Sequence, residues 1–165
     1  MIKRAQAGFT LVELIVVILL ISIVSAYAAS RYIGTGSFSA YAAQEQAISI
    51  IRQLQVYRMQ SNTTGVYNSS FELTASGSCL GSTTGCNAAT TPQAAQSRSD
   101  VMRLDGVSVS SMTSPVNFDL RGNPVTLNPD GTLLPLGSVT ITFTASGESA
   151  AVCINSQGYV SGGSC

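Results

Sequence analysis

An α+β architecture is expected from these 165 residues: one long N-terminal helix packed on a small antiparallel β-sheet. Three features carry that expectation. Apolar residues run almost unbroken from Phe9 to Ala29. Apolar side chains then recur at three- and four-residue intervals as far as Gln60, the repeat of a one-sided helix. Beyond Asp100 the pattern changes to short β-type runs separated by turn signals.

The first stretch, residues 9–29, is long enough to cross a bilayer, for which about 20 apolar residues suffice. It holds one carboxylate, Glu13, near its start. An ionised side chain in hydrocarbon is costly and calls for a partner. A segment that served only as an anchor would carry Leu there, so Glu13 points to assembly. Ahead of it lies a basic leader, residues 1–8, in which Lys3 and Arg4 keep the leader cytoplasmic and send the rest outward by the positive-inside rule.

Two cuts compete. Ala26-Tyr27-Ala28 fits an ordinary secretory cleavage site after an apolar core from Leu14 to Val24, although Glu13 is poorly placed for such a leader. The other cut falls after Gly8 and leaves Phe9 as the new N-terminus.

Gly8-Phe9-Thr10-Leu11-Val12-Glu13 resembles the processing motif of type IV prepilins and of the pseudopilins of type II secretion. The resemblance implies a type IV pilin-like fold. It further implies that a prepilin peptidase/N-methyltransferase cuts after Gly8 and methylates Phe9, and that Glu13 pairs with the terminal amine of a neighbouring subunit. Electrostatics agrees: in a low-dielectric bundle, an ammonium and a carboxylate offset each other's desolvation only when they meet closely. The partners implied are other major and minor pilins, met through the N-terminal helices, and an inner-membrane assembly platform. Before assembly the chain would sit in the bacterial inner membrane as a single-pass protein with a periplasmic C-terminus, and afterwards in a pilus or pseudopilus.

Residues 30–60 continue as an amphipathic helix. Gly34 and Gly36 each weaken it by about 1 kcal/mol relative to Ala and mark a kink or a locally melted turn. Ser37 or Ser39 can cap the resumed helix. Ala47, Ile50, Ile51, Leu54 and Tyr57 form the apolar face, while Gln44, Glu45, Arg52, Gln53 and Gln60 populate the rest. Asn62-Thr63-Thr64-Gly65 ends the helix.

Residues 61–165 form an exported, β-rich head. Phe71-Glu72-Leu73 is a weak strand, and residues 76–98 read as an exposed, mobile loop rich in Gly, Ser, Thr and Ala. Asp105-Gly106 between two short apolar runs is a hairpin signal. Arg121-Gly122-Asn123 and Asn128-Pro129-Asp130-Gly131 are further turns. Residues 138–144 alternate, with Val139, Ile141 and Phe143 inward and Thr140, Thr142 and Thr144 outward. Residues 151–154 and 158–160 complete the set, with a turn at Ser156-Gln157-Gly158.

Four cysteines in an exported chain read as disulfides, and four allow three connectivities. The sequential pairs Cys79–Cys86 and Cys153–Cys165 close the shortest loops, each adding roughly 2–3 kcal/mol through loop-closure entropy. With no histidine, a zinc site would need all four thiols, so no metal is expected.

Only 10% of residues are charged, well below the usual quarter. Loss of Lys3 and Arg4 leaves six basic against eight acidic side chains, a net charge of −2, which is no footprint for nucleic acid. No catalytic constellation or cofactor motif is present: the acids are scattered singly, and Asp100 and Asp105 flank a strand and a turn. An enzyme is not expected. Asn62-Thr63-Thr64 and Asn68-Ser69-Ser70 match a glycosylation triplet by chance, and Arg31 reads as a headgroup anchor.

The C-terminal half is similar to H-type minor pseudopilins and to minor pilins of the mannose-sensitive haemagglutinin (MSHA) type. The likeness rests on residues 117–124, 139–143 and 152–160: an aromatic strand, an Arg-Gly turn, a Thr-rich strand and a closing strand–Gly–strand. One departure is Ser30, where many major pilins carry proline. The resemblance implies a minor pilin that enters or primes a surface pilus; the Cys79–Cys86 loop, read as exposed, is a candidate for cell adhesion, since exposed loops carry recognition. The alternatives are a type II secretion pseudopilin and an exported binding protein released near Ala28.

Overall fold

The computed structural model describes residues 9–61, 68–110, 112, 115–128 and 130–165, with residues 29–38 described by their backbone alone. The chain divides into two compact units, one ending at Thr35 and one spanning Gly36–Cys165. A single helix, α1 (Leu11–Gln60), contributes to both. Its helical backbone runs through Gly34 and Gly36, so the melted turn expected there does not form. Two glycines cost about 2 kcal/mol together, little beside the cooperative gain of continuing an established helix from both sides.

In the first unit, every side chain from Phe9 to Ala28 is exposed. Leu11–Ala28 is a helix long and apolar enough to cross a membrane. Ser22 satisfies its hydroxyl within the helix by donating to the Ile18 carbonyl at 2.7 Å.

In the second unit the remainder of α1 packs on a head of three antiparallel sheets, rather than the one sheet expected. The first joins β1 (Leu73–Ser76), β2 (Cys79–Ser82) and β3 (Val101–Arg103) in the order β1-β2-β3. Between β2 and β3 lie two short helices, α2 (Thr83–Ala88) and α3 (Pro92–Gln96). The second sheet has the order β10-β9-β8-β4, from β4 (Ser108–Val109), β8 (Val139–Ala145), β9 (Glu148–Ile154) and β10 (Val160–Gly162). The third is β5 (Asn117–Phe118), β6 (Pro124–Leu127) and β7 (Leu133–Pro135).

The core forms where α1 meets these sheets. Ala40, Ala47, Ile51 and Leu54 from α1 are fully buried with Leu73, Leu80, Ile141, Phe143, Val152 and Ile154. Each large aliphatic side chain so buried contributes roughly 1.5–3 kcal/mol. In β8, Ile141, Phe143 and Ala145 are buried and Thr140 is exposed, following the alternation. Tyr57 departs from the expected apolar face: it is 43% exposed, and Gln44, Gln55 and Arg58 are buried instead.

The Asp105-Gly106 turn forms, with Gly106 at φ +74, but it does not close a hairpin. β3 pairs with β2 (Leu80↔Met102) and β4 pairs with β8 (Ser108↔Thr144), so the turn carries the chain from one sheet to another.

The segment 76–98 is not an irregular loop throughout, for it contains β2, α2 and α3. β2 is buried along its whole length, and both following helices are capped: Ser82 accepts from the Gly85 N–H at 2.8 Å and Thr91 from the Ala94 N–H at 3.2 Å. Side-chain oxygens at these positions satisfy amides that a helix start leaves open. Pro92 at the first turn of α3 adds a preset φ. Gly81 lies so close to the Asp100 carbonyl that any Cβ there would collide with it.

Candidate functional site

Thr10 caps α1, accepting from the Glu13 N–H at 3.2 Å through its hydroxyl, while its carbonyl accepts from the Leu14 N–H at 3.2 Å. Glu13 therefore stands in the first turn, where the helix dipole favours a negative charge. It is the one ionisable side chain between Phe9 and Tyr27, and it is exposed among apolar side chains that are exposed themselves. Phe9, 79% exposed, precedes the cap. Lys3, Arg4 and Gly8 lie outside the described residues, so the geometry concerns only Phe9 and Glu13.

Chemically, this end of the chain offers a large apolar surface with one carboxylate set into it. Such a surface is stable against lipid or against other helices of like character. The carboxylate distinguishes the two environments, because only a protein neighbour can bring it a fixed cation.

In the head, polar side chains on α1 fasten the helix to strand and turn carbonyls. The Gln44 amide donates to the Ala151 carbonyl. Arg52 Nη2 donates to the Val160 carbonyl at 2.8 Å, and Arg58 Nε to the Phe118 carbonyl at 3.1 Å. Gln55 Nε2 donates to both Gly122 and Gly158, at 2.9 and 2.7 Å. Arg52 is exposed, as its place off the apolar face predicts, whereas Gln44, expected beside it, is buried together with Gln55 and Arg58. The signal was available: residues 44, 47, 51, 54, 55 and 58 continue one three-and-four repeat in which some positions are polar.

The disulfides Cys79–Cys86 and Cys153–Cys165 are both closed, with Cα separations of 5.8 and 5.0 Å. The first ties β2 to α2; the second ties the C-terminal residue to β9. Beside the first, fully buried Ser82 donates through its hydroxyl to Asp100 Oδ2 at 2.5 Å. Arg98 grips the same carboxylate with two nitrogens at 2.9 and 2.8 Å. Burial opposes the charge on Asp100, but the hydrogen bonds from Arg98 and Ser82 and the guanidinium charge outweigh it, so its pKa lies below the usual carboxylate value. At the β5–β6 turn, burial likewise opposes ionisation of Asp119, yet the Asn123 and Arg121 backbone N–H groups and the Asn123 side chain hold its pKa down. Among the described residues, no three acidic or cysteine side chains gather as a metal site would require. Ser82 donates its proton to a carboxylate that two other donors already hold, an arrangement that braces the β2–α2 junction.

Residues 3–29 match the family model described as the prokaryotic N-terminal methylation motif. No curated protein and no solved structure matches the chain. The matched segment contains Lys3, Arg4, Gly8, Phe9 and Glu13, and it ends where the apolar stretch ends.

Proposed function

We propose, from an N-terminal motif that indicates a type IV pilin or pseudopilin processed by a prepilin peptidase, that this chain is a minor pilin of the MSHA-like kind. On this reading residues 1–8 are a leader removed after Gly8, residues 9–29 store the subunit in the membrane and later enter the filament core, residues 30–60 carry the helix into the head, and residues 61–165 are exported. The observation that carries it is Glu13, one carboxylate in an apolar helix segment whose side chains are all exposed. Cleavage creates a free amine at Phe9, which N-methylation leaves cationic, and discards Lys3 and Arg4, charges that would oppose withdrawal from the membrane. The amine of one subunit then meets Glu13 of the next as helix contacts replace lipid.

The subunit joins other pilins through this helix at an inner-membrane assembly platform, and either enters or primes a surface pilus. Two disulfides suit an exported head. The mature N-terminus is the test. Mass spectrometry of the purified protein should find methylated Phe9 as its first residue; a start at Ala29 would replace this reading with release by ordinary signal peptidase.

The second reading, an H-type minor pseudopilin of type II secretion, shares the leader and helix and draws on the same strand–turn pattern at residues 117–124. Recovery of the chain in sheared surface filaments supports the pilus. Loss of protein secretion on its deletion, with pili intact, supports the pseudopilus.

A further inference from the structure

The two ends of the β8–β9–β10 hairpin system differ in charge and shape. β9 leaves a tight turn at Ser146-Gly147 and reaches the turn at residues 155–159 seven residues later, about 20 Å away at ~3.3 Å per residue. Ser146 and Gly147 both have positive φ, +51 and +87, which makes the first turn a narrow two-residue tip. Beside it stands Glu148, exposed, whose carboxylate has no hydrogen bond or ion pair among the described residues. Asp105, 71% exposed, lies on the turn before β4; because Ser108 pairs with Thr144, that turn is at the same end of the sheet. At this end Arg103 lies 3.7 Å from Asp105 and Arg98 lines the same pocket, so Glu148 is the carboxylate left without a cation beside it among the described residues.

At the opposite end, α1 and the turns at Gly122 and Gly158 enclose a groove of about 310 Å³. Two guanidinium groups border it, Arg52 and Arg121. The Arg121 side chain is 84% exposed. Its neighbour Asp119, 3.5 Å away, is already engaged by three N–H donors from Arg121 and Asn123. Val56 and Met59 line the groove and are 46% and 51% exposed, and Tyr159 next to Gly158 is 64% exposed. Apolar side chains gathered around two cations in this way mark an interaction surface.

We propose that this groove receives the Ser146-Gly147 tip of a second copy of the chain, with Glu148 of that copy against Arg121. The occupant is a second copy because the chain carries both halves of the contact, at opposite ends of one sheet. Such a contact is heterologous: it leaves one groove and one tip free at each step, so copies follow one another along a line instead of closing as a two-fold pair. A narrow tip with an adjoining carboxylate suits a small groove with exposed guanidinium groups, and Val56, Met59 and Tyr159 exclude water around the pair. The setting, successive subunits in a filament or its primer, rests on the function proposed above; the contact itself does not require a filament.

Zero-length carbodiimide cross-linking tests it cleanly, because Lys3 is the only lysine of the sequence and falls within the leader. Arg121→Lys keeps the charge and places a reactive amine at the groove. Two differently tagged full-length copies, co-expressed and treated in isolated membranes, should yield a mixed adduct whose linked peptides join position 121 to Glu148. Adding Glu148→Gln should reduce that adduct at least five-fold. Both positions are exposed, so neither substitution disturbs the core. An adduct only with a different protein, an adduct between copies on another carboxylate, or no adduct between copies would overturn the proposal. Measuring the mature N-terminus on the same membranes separates the two ideas: a chain that begins at Phe9 but forms no adduct refutes the contact and leaves the filament function standing.

Discussion

Gly158 rests with its backbone directly against the Gly122 carbonyl, too close for any side chain at position 158. Gln55 of α1 spans the same junction and donates to both carbonyls. Two turns far apart in sequence and one helix therefore meet at a point where the Gln55 amide joins them.

Gly158→Ala should be strongly destabilising. Its φ of +81 is unfavourable for Ala, and the new methyl would push the two turns apart. Together these effects cost about 2–4 kcal/mol. Thermal unfolding of the detergent-solubilised protein should show the loss as a lowered midpoint. Gly147→Ala meets open space and should lose only the conformational part.

Gln55→Leu should cost about 1–3 kcal/mol despite preserving much of the apolar stem, since it leaves two carbonyls in a closed junction without their donor. Urea unfolding of the variant beside Gln53→Leu, which alters a half-exposed position, checks that the effect belongs to the junction.

Acid should weaken the head through Asp100. Its folded pKa is depressed, so the stabilisation is present above the unfolded carboxylate pKa and is lost as pH falls through the folded value. The wild-type unfolding midpoint should therefore fall between about pH 4 and the more acidic range below it. Asp100→Asn should be less stable at neutral pH and should flatten that fall; an unchanged slope would remove Asp100 from the acid response.

Cys165→Ser should release the C-terminal residues from β9 and cost roughly 2–3 kcal/mol through restored loop entropy. Reducing agent should reproduce the loss in the wild type without lowering the variant further at that bond. Unfolding curves with and without reductant make the comparison.

Glu13→Leu should leave membrane insertion intact, since the segment becomes more apolar, and should reduce recovery of the chain in sheared filaments by an order of magnitude or more. Normal recovery would show that the carboxylate has no part in assembly.

Much of this chain could be read in one dimension because much of its physics is local. The apolar run is contiguous because spanning hydrocarbon takes about 20 apolar residues in succession, and Glu13 and the residues from Gly8 to Glu13 lie within or beside it. The alternation of β8 reports one buried face directly, and Asp119 organises the Arg121-Gly122-Asn123 turn from within four residues.

The tertiary structure alone decided which strands pair, which polar side chains are buried and which regular elements residues 76–98 take up. Asp105-Gly106 encodes a change of direction, but β2 and β8 outside that stretch determine that its flanking strands part. Gln44, Gln55 and Arg58 look like surface residues until carbonyls from other parts of the chain arrive to accept from them. A Ser- and Gly-rich segment becomes β2, α2 and α3 because Asp100, Val101 and a disulfide give its small residues something to pack against. Local periodicity records how much of each element is buried; the identity of the partner is a non-local choice among strands of similar propensity, made only when the whole core closes.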